Sequence, residues 1–375
     1  MKSKILFVAS SFSHIRNFHL PYIKAFHDRG WPVDVACGGK KCEIPFSAEL
    51  IELPFEKRMS SPKNFRASRI LRRRIEKEEY ALICANTSLA SFFVRLSMMG
   101  MRKRPFLSNM VHGYLFDDHT EPLRRAILLA AERSMSPVTD LLFTMNRYDC
   151  ALAKRYALGK RIVSVPGVGV DYALFDEQRN SCEKDIRREL SLSDDAFVLI
   201  YAAEFSERKS QLTLIDAMAR LPADVDLILA GEGSTRESCM AAAKERGLDG
   251  RVFFPGHVCP IGAWYAASDA VVSSSRSEGL PFNIMEAMHV GLPIIASDVK
   301  GNSDLIHDGE NGLLYPYGDA QALADCVLRL LDSGTLRRRL GQRAKEDAEQ
   351  YALNNVFPLV WKELEAAAER LKSSQ

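Results

Sequence analysis

Short runs of apolar residues alternate with amphipathic stretches along the first part of the chain. The apolar runs predict strands at Ile5–Ala9, Val33–Ala36, Leu82–Ala85, Phe106–Val111 and Leu141–Thr144. Helical spacing predicts helices at Leu20–Arg29, Arg66–Glu79, Leu89–Met99 and Pro122–Arg133. Short buried strands that alternate with helices are typical of βαβ units, in which helices cover both faces of a parallel sheet.

The same alternation restarts after a turn-rich seam at Val165–Asp171, which holds two glycines and a proline. Strands are predicted at Phe197–Ala202, Val225–Ala230, Val252–Phe254, Ala270–Ser274 and Pro293–Ala296, and helices at Gln211–Leu221, Arg236–Arg246, Gly262–Ala267, Ile284–Val290 and Ala320–Leu331. The pattern predicts an α/β protein with two Rossmann-like, doubly wound domains at residues 1–170 and 171–350. A last helix within 351–375 is expected to pack back toward the first domain.

Composition is that of an ordinary globular protein, with 375 residues, 47% hydrophobic and 26% charged. It excludes a disordered chain, a collagen and a small disulfide scaffold. The first apolar run, Ile5–Ala9, is shorter than the roughly 7–15 residues of a signal peptide core. No window approaches the ~18 apolar residues of a membrane span. We therefore expect a chain that does not cross a bilayer. The eight cysteines form no C-x-x-C pair, which indicates free thiols in a reducing cytoplasm.

One segment carries the most specific chemical signal. Glu278, Gly279 and the residues up to Asn283 follow a predicted strand and open a predicted helix. Backbone N–H groups at a helix start, together with the helix dipole, favour an anion. Doubly wound domains bind ligands at the carboxyl ends of their strands, so we expect this segment to line an interdomain cleft.

Glu278 and Glu286, with seven residues between them and Ala287-Met288 after them, resemble the E-x7-E signature of family 4 retaining glycosyltransferases. Gly231-Glu232-Gly233, Gly256-His257 and Asp308–Leu314 also resemble segments of that family. The resemblance is strong from about residue 160 to 350. In the first domain, Asn17–Pro21 and Val111–Gly113 resemble bacterial exopolysaccharide and O-antigen transferases. The resemblance to family 4 implies the GT-B fold, with two facing Rossmann-like domains.

The family resemblance implies a hexosyltransferase that takes its sugar from a nucleotide donor, with UDP expected, and passes it to a lipid-linked or saccharide acceptor of bacterial surface polysaccharide synthesis. Lys209 matches the family's phosphate lysine, whereas Glu204 stands where the family often has an arginine, and Arg208 is the candidate replacement. Glu286 is expected to accept hydrogen bonds from the ribose and Glu278 to approach the hexose. The expected catalytic residues are Lys209, Glu278 and His112; the donor-binding residues are Arg208, Glu204, Gly279, Leu280, Pro281, Phe282, Asn283, Glu286, Gly231, Gly233 and His257; the acceptor residues are His14, Arg16 and Asn17. His14 is expected in a loop, Ser10–His14, after the first strand.

Neither a metal nor a separate cofactor is expected. The D-x-D sequence at Asp224–Asp226 lies at the start of a predicted strand, away from the edge that carries the site. No cysteine or histidine cluster has the spacing of a zinc motif.

The first half of the chain is basic. Residues 1–170 hold 28 Lys and Arg against 15 Asp and Glu, and residues 171–375 are acidic. Clusters at 57–74 and 102–104 predict attraction to anionic lipid headgroups at the inner face of the membrane. Nucleic acid is disfavoured because no recognition motif accompanies the arginines.

Three other functions remain open on the sequence. A UDP-sugar epimerase of the GT-B fold would need catalytic carboxylates in the first domain. A nucleotide-sugar-binding subunit, inactive without a partner, is compatible with Glu204 at the usual arginine position. A nicotinamide-dependent dehydrogenase is the weakest alternative, because no G-x-G-x-x-G follows the first strand.

Overall fold

The computed structural model describes residues 3–180 and 185–372. The chain forms two compact units. The first unit comprises residues up to Gly169 together with those from Asn354 onward, and the second unit comprises Val170–Leu353. Cys182 and the rest of the polar stretch at 181–184 lie outside the described residues.

The first unit is a parallel sheet, with seven strands among its described residues, in the order β3-β2-β1-β4-β5-β6-β7. The strands are β1 (Lys4–Ala9), β2 (Val33–Cys37), β3 (Glu49–Glu52), β4 (Tyr80–Asn86), β5 (Phe106–Val111), β6 (Leu141–Thr144) and β7 (Arg161–Ser164). The helices are α1 (Phe12–Phe18), α2 (Leu20–Asp28), α3 (Pro62–Lys77), α4 (Ser88–Met98), α5 (Pro122–Ser134), α6 (Arg147–Tyr156) and the C-terminal helix, α16 (Leu353–Lys372). Strands β1, β2 and β4 are almost wholly buried, as the continuous apolar runs predict.

Helix α1 replaces the loop that the sequence predicts after β1. The Ser11 hydroxyl caps this helix by accepting a hydrogen bond from the His14 N–H group. Phe12 and Ile15 are buried on one face. His14, Arg16 and Asn17 therefore lie on a helix, and the prediction of a loop at Ser10–His14 is wrong.

Helix α16 packs against α2 of the first unit. The rings of Tyr22 and Phe357 stack at a centroid distance of 5.1 Å, and those of Phe26 and Trp361 meet at 4.7 Å. α16 has 20 residues. Among the described residues, neither this helix nor another is long and apolar enough to cross a membrane.

The second unit is also a parallel sheet, with six strands among its described residues, in the order β10-β9-β8-β11-β12-β13. The strands are β8 (Phe197–Ala202), β9 (Val225–Ala230), β10 (Val252–Gly256), β11 (Ala270–Ser273), β12 (Ile294–Ser297) and β13 (Leu313–Tyr315). The helices are α7 (Tyr172–Asn180), α8 (Ile186–Glu189), α9 (Gln211–Met218), α10 (Arg236–Glu245), α11 (Ile261–Ala266), α12 (Phe282–Val290), α13 (Asn302–Leu305), α14 (Ala320–Leu331) and α15 (Gly334–Ala348).

Strand order reverses at β8 in the second unit. From β8 the chain proceeds outward to β9 and β10, then returns to β11 on the other side of β8. The loops that follow β8 and β11 therefore leave the sheet in opposite directions, and the space between them is where doubly wound sheets bind ligands. These two loops carry Lys209 and Glu278.

Candidate functional site in the second unit

The loops after β8 and β11 bring two cations onto one buried carboxylate. Lys209 Nζ donates to Glu278 Oε1 at 2.5 Å, and Arg208 Nη1 donates to Glu278 Oε2 at 2.9 Å. Arg208 also donates to the carbonyl of Ser277 at 2.9 Å. The side chains of Lys209 and Glu278 are 12% and 8% exposed, so Lys209 is not the solvated helix-start residue that a surface lysine would be.

Behind Glu278 lies a chain of hydroxyl groups. The Ser275 hydroxyl donates to Glu278 Oε1 and lies 2.6 Å from the hydroxyl of Tyr201. Because serine has one hydroxyl proton, Tyr201 donates to Ser275. Tyr201 and Ser275 are buried, which fixes the Glu278 carboxyl group in one orientation. The sequence did not identify either residue as part of the site, although Ser275 lies three positions before Glu278.

The ion pairs set the charge state of this cluster. Burial opposes the ionisation of Glu278, but the charges of Lys209 and Arg208 outweigh it and hold the pKa of the Glu278 carboxyl below its ordinary value. Burial likewise disfavours the charged amine of Lys209, while Glu278 reverses that effect and raises the pKa of Lys209. The cluster is therefore one anion and two cations near neutral pH, and its formal charge is +1.

Helix α12 begins three residues beyond Gly279 without a side-chain cap. Pro281 occupies the N-cap position and no acidic residue lies in the first turn. The helix starts at Phe282, so Phe282 and Asn283 belong to its first turn rather than to the preceding loop. Such a helix start favours an anion next to the loop that carries Glu278.

Glu286 lies one turn inside α12 and is half-buried. The hydroxyl of Tyr265 donates to Glu286 Oε2 at 3.2 Å. Burial raises the pKa of Glu286 to about 7, and the hydrogen bond from Tyr265 opposes that shift only in part. Glu286 is therefore not a solvated carboxylate, and its protonation changes near neutral pH.

Gly231 and Gly233 pack against the backbone of the loop after β8. A Cβ atom at Gly231 would lie 2.1 Å from the carbonyl oxygen of Ala203, and one at Gly233 would lie 2.1 Å from that of Phe205. Both have positive φ angles, +146° and +153°. Their contacts in the structure are thus with backbone of the loop that leads to Arg208 and Lys209.

The remaining predicted donor residues lie at the same edge of the sheet. Glu204 is exposed on the β8 loop, where its charge acts on Arg208. His257 is exposed after β10, an edge strand two places from β8. Leu280 and Pro281 are buried at the α12 start.

The D-x-D sequence lies elsewhere in the second unit. Asp226 is buried inside β9 near the amino end of that strand, opposite to the end that carries the loops of the site. This is the position that the sequence predicts.

In the first unit, the predicted residues His14 and His112 come together with His19, which the sequence did not single out. The ring centroids of His14 and His112 are 4.7 Å apart, and the Nε2 atoms of His14 and His19 are 3.3 Å apart. Arg16 and Asn17 are exposed on α1. His19 lies between α1 and α2, and the local sequence gives no sign that its ring turns toward His112.

The cations of α3 divide into two groups. Arg74 pairs with Glu49 and with Asp34, and Arg72 pairs with Glu76. The guanidinium groups of Arg72 and Arg74 are therefore paired within the first unit. Arg66, Arg69 and Arg73 are exposed and share one helix face through their spacing of three and four residues.

Comparison with known proteins identifies the class. The family model described as "Glycosyl transferases group 1" matches residues 183–347. EpsD of Bacillus subtilis (strain 168), which is named as a glycosyltransferase, is 31% identical over 94% of this chain and 93% of its own. The lipopolysaccharide core biosynthesis glycosyltransferase LpsE of Rhizobium meliloti (strain 1021) is 37% identical over 43% of this chain and 47% of its own.

Among solved structures, Anabaena Alr3699/HepE in complex with UDP and glucose has a TM-score of 0.78 at 21% identity and covers 97% of this chain and 100% of its own. The fold is therefore GT-B, as the sequence predicts. The chain belongs to the group 1 glycosyl transferases, and the expectation of a transferase enzyme is confirmed.

Proposed function

We propose that this protein transfers a hexose from a UDP-sugar to a lipid-linked or saccharide acceptor, with retention of the anomeric configuration, in the synthesis of a bacterial surface polysaccharide. The observation that carries the proposal is the pairing of Lys209 and Arg208 with Glu278 beside the uncapped start of α12. The names of EpsD and LpsE, and the UDP and glucose held by HepE, support it.

A diphosphate suits this cluster because Lys209 and Arg208 supply two positive charges, and α12 begins without a side-chain cap four residues after Glu278. When the donor binds, its phosphate oxygens compete with the Glu278 carboxylate for Lys209 and Arg208. Negative charge grows on the diphosphate as the sugar leaves, so the two cations stabilise the transition state more than the ground state. Glu278, displaced from its partners, then becomes available to the hydroxyl groups of the hexose.

The reaction exchanges one bond to the anomeric carbon for another. The bond between that carbon and the diphosphate oxygen breaks, and a bond to the acceptor oxygen forms on the same face. The acceptor proton passes to the departing phosphate, and the nucleoside diphosphate is released. The protein supplies position and charge, and Glu278 is not assigned as a nucleophile.

Glu286 accepts hydrogen bonds from the ribose in this scheme. An ionised carboxyl group can accept two hydrogen bonds from neighbouring hydroxyls, whereas a protonated one accepts less well. Leaving-group stabilisation by Arg208 and Lys209 requires no metal, so we propose that transfer is metal-independent and proceeds in the presence of a chelator.

The first unit is proposed to bind the acceptor, with His14 as one contact, and His112 is proposed to contact the donor sugar. The exposed face of Arg66, Arg69 and Arg73 is proposed to attract the anionic inner surface of the cell membrane, where a lipid-linked acceptor would lie. The protein would then act as a peripheral membrane enzyme in the cytoplasm, without a nucleic acid partner.

A nucleotide screen tests the proposal first. Thermal unfolding of the full-length chain is measured with UDP, GDP, ADP and UDP-sugars at millimolar concentration. We expect the melting temperature to rise with the logarithm of UDP-sugar concentration, because the ligand binds the folded state. Absence of binding by UDP and by every UDP-sugar would overturn the proposed function.

Turnover distinguishes the remaining functions. The protein is incubated with a radiolabelled UDP-sugar and bacterial lipid extract, with and without EDTA, and product, anomeric configuration and free UDP are measured. We expect a labelled lipid or saccharide and one UDP per transfer. Conversion of the UDP-sugar to an epimer without acceptor would select the epimerase, and binding without turnover would select the subunit that needs a partner.

A further inference from the structure

Three imidazole rings meet in the first unit, two from the α1–α2 segment and one from the loop after β5. His14 projects from α1, His19 lies at the junction of α1 and α2, and His112 follows β5. One ring nitrogen from each histidine lies within 4.8 Å of the other two. Local sequence spacing does not reveal this set, because His112 is far along the chain from the other two.

The distance between two of these nitrogens equals the edge of a tetrahedral metal site. Zinc binds imidazole nitrogen at about 2.0–2.1 Å, so two ligands at the tetrahedral angle lie about 3.3 Å apart. His14 Nε2 and His19 Nε2 are 3.3 Å apart. The rings of His14 and His112 are nearly perpendicular, at 82°, and those of His19 and His112 at 89°, so the three rings do not stack on one another.

The three imidazoles lie inside the first unit. His19 is buried, and His14 and His112 are half-buried. The Nε2 atoms of His14 and His19 are also at hydrogen-bonding distance, so one of them carries a proton, and a metal bound to both nitrogens would take the place of that proton.

One nitrogen of the cluster is also left unpaired within the protein. His112 Nε2 is buried and has no hydrogen-bond partner among the described residues. A buried polar atom without a partner costs free energy, which a bound ion or ligand atom can recover. A set of three histidines with one open position is the ligand arrangement of zinc sites that keep a water or substrate in the fourth place.

We propose that His14, His19 and His112 form a binding site for a divalent transition metal ion of the zinc type. Such metals favour imidazole, and they follow an affinity order that places copper above zinc and zinc near nickel and cobalt. The site lies in the first unit. The cations proposed to bind the donor diphosphate, Lys209 and Arg208, belong to the second unit, so this inference does not depend on the proposed transfer reaction. A metal held here would occupy the imidazoles proposed to contact saccharide.

Cobalt provides a direct probe of the site. The full-length chain is freed of metal with a chelator and titrated with Co²⁺, and the visible absorption of tetrahedral Co²⁺ is followed. We expect about one equivalent of cobalt, displaced by Zn²⁺, in the wild-type protein. His14→Ala and His112→Ala should each weaken metal binding at least tenfold, since each removes one of three ligands.

His27→Ala is the matched control, because His27 is exposed on α2 and lies outside the cluster. It should bind cobalt as the wild type does. His14→Gln keeps a side chain of similar size at the half-buried position. It therefore tests the loss of the His14 imidazole as a metal ligand even if His112→Ala fails to fold. Circular dichroism and the melting temperature check the folding of each variant. Equal cobalt binding by the wild type and His14→Gln, or an equal loss in His27→Ala, would overturn the proposal.

Discussion

Gly301 lies against Glu278 so closely that a Cβ atom at position 301 would come within 2.8 Å of the Glu278 Cβ atom and of its carbonyl oxygen. Glu278 N–H donates to the carbonyl of the neighbouring Lys300 at 3.2 Å. The start of α13 thus supports the loop that carries Glu278. Nothing in the E-x7-E spacing points to this glycine, which lies 23 positions beyond Glu278 in the sequence.

Gly301→Ala should therefore weaken donor binding without removing a functional group. The added methyl group collides with backbone and displaces the Glu278 loop, so we expect at least tenfold weaker UDP binding by calorimetry. The φ angle of +85° adds a conformational cost of about 1 kcal/mol. Gly318→Ala is the control, because Gly318 has a φ angle of +81° and no atom within 4 Å of the added Cβ. Equal UDP affinity in the two variants would contradict the role of Gly301.

Lys209→Ala should slow transfer by ~10²-fold or more, by analogy with the loss of one group that stabilises developing negative charge. The measurement is the rate of UDP release at saturating donor and acceptor. Lys244→Ala, on the exposed surface of α10, should keep the wild-type rate. A wild-type rate in Lys209→Ala would remove Lys209 from the catalytic group.

Glu278→Gln tests whether the carboxylate competes with the donor for its two cations. A neutral amide leaves Lys209 and Arg208 with unbalanced positive charge, so UDP should bind more tightly, by roughly threefold to tenfold, at low ionic strength. Transfer should slow at the same time, because the contact to the hexose is lost. Weaker UDP binding by Glu278→Gln would argue against competition between the Glu278 carboxylate and the donor phosphates for Lys209 and Arg208.

Glu286 should make donor affinity depend on pH. Because burial raises the pKa of Glu286 to about 7, its carboxyl is mostly protonated at pH 6 and mostly ionised at pH 8. The affinity for UDP-glucose, whose diphosphate does not titrate in this range, should rise roughly threefold to tenfold between these pH values. Glu286→Gln should bind more weakly at pH 8 and show no such rise, whereas the exposed Glu310→Gln should behave as the wild type.

The same carboxyl predicts the pH dependence of stability. Its folded-state pKa lies above the unfolded value near 4.5. Its contribution to the free energy of unfolding is therefore fully present below the unfolded pKa and is lost as pH rises through about 7. Between pH 5 and 8 the free energy of unfolding of the wild type should fall by roughly 1–3 kcal/mol more than that of Glu286→Gln. Urea unfolding at the two pH values measures the difference, and parallel behaviour of the two proteins would contradict the buried, titrating carboxyl.

The exposed arginine face of α3 should bind anionic vesicles. We expect flotation with vesicles of phosphatidylcholine and phosphatidylglycerol but not with phosphatidylcholine alone, at about 1 kcal/mol for each cation near the surface. The triple change Arg66→Glu, Arg69→Glu and Arg73→Glu should abolish flotation. The control changes the same charge at exposed sites of the second unit, with Lys244→Glu, Arg329→Glu and Arg338→Glu. Equal loss in both variants would indicate a net-charge effect only.

Apolar runs predicted the central strands well, because those strands are buried on both faces. Phe197–Ala202 and Val225–Ala230 match β8 and β9 residue for residue. The pattern missed β3 and β7, which are the edge strands of the first sheet and expose residues at both ends. An edge strand with one half-exposed face lacks the continuous hydrophobic signal on which the prediction depended.

The site divides in the same way. Glu278, Glu286 and Lys209 could be predicted because the motif and the βα order place them at one edge of the sheet. Tyr201 and His19 could not, because their partners Ser275 and His112 are distant in sequence and meet only through sheet order. The predicted basic cluster at 57–74 includes Arg72 and Arg74, which are paired in the structure with Glu76 and Asp34. Charge clustering in the sequence cannot distinguish a solvated arginine from a paired one.

The first unit is built from two separate pieces of chain, and the second piece is α16. During synthesis on the ribosome, residues 170–353 emerge as one uninterrupted stretch before Phe357 and Trp361 are made. The second unit can therefore complete its fold while the first still lacks the aromatic rings that cover Tyr22 and Phe26. The first unit therefore begins before the second and is completed after it, and a nascent chain released before α16 is made would leave that apolar surface of α2 exposed.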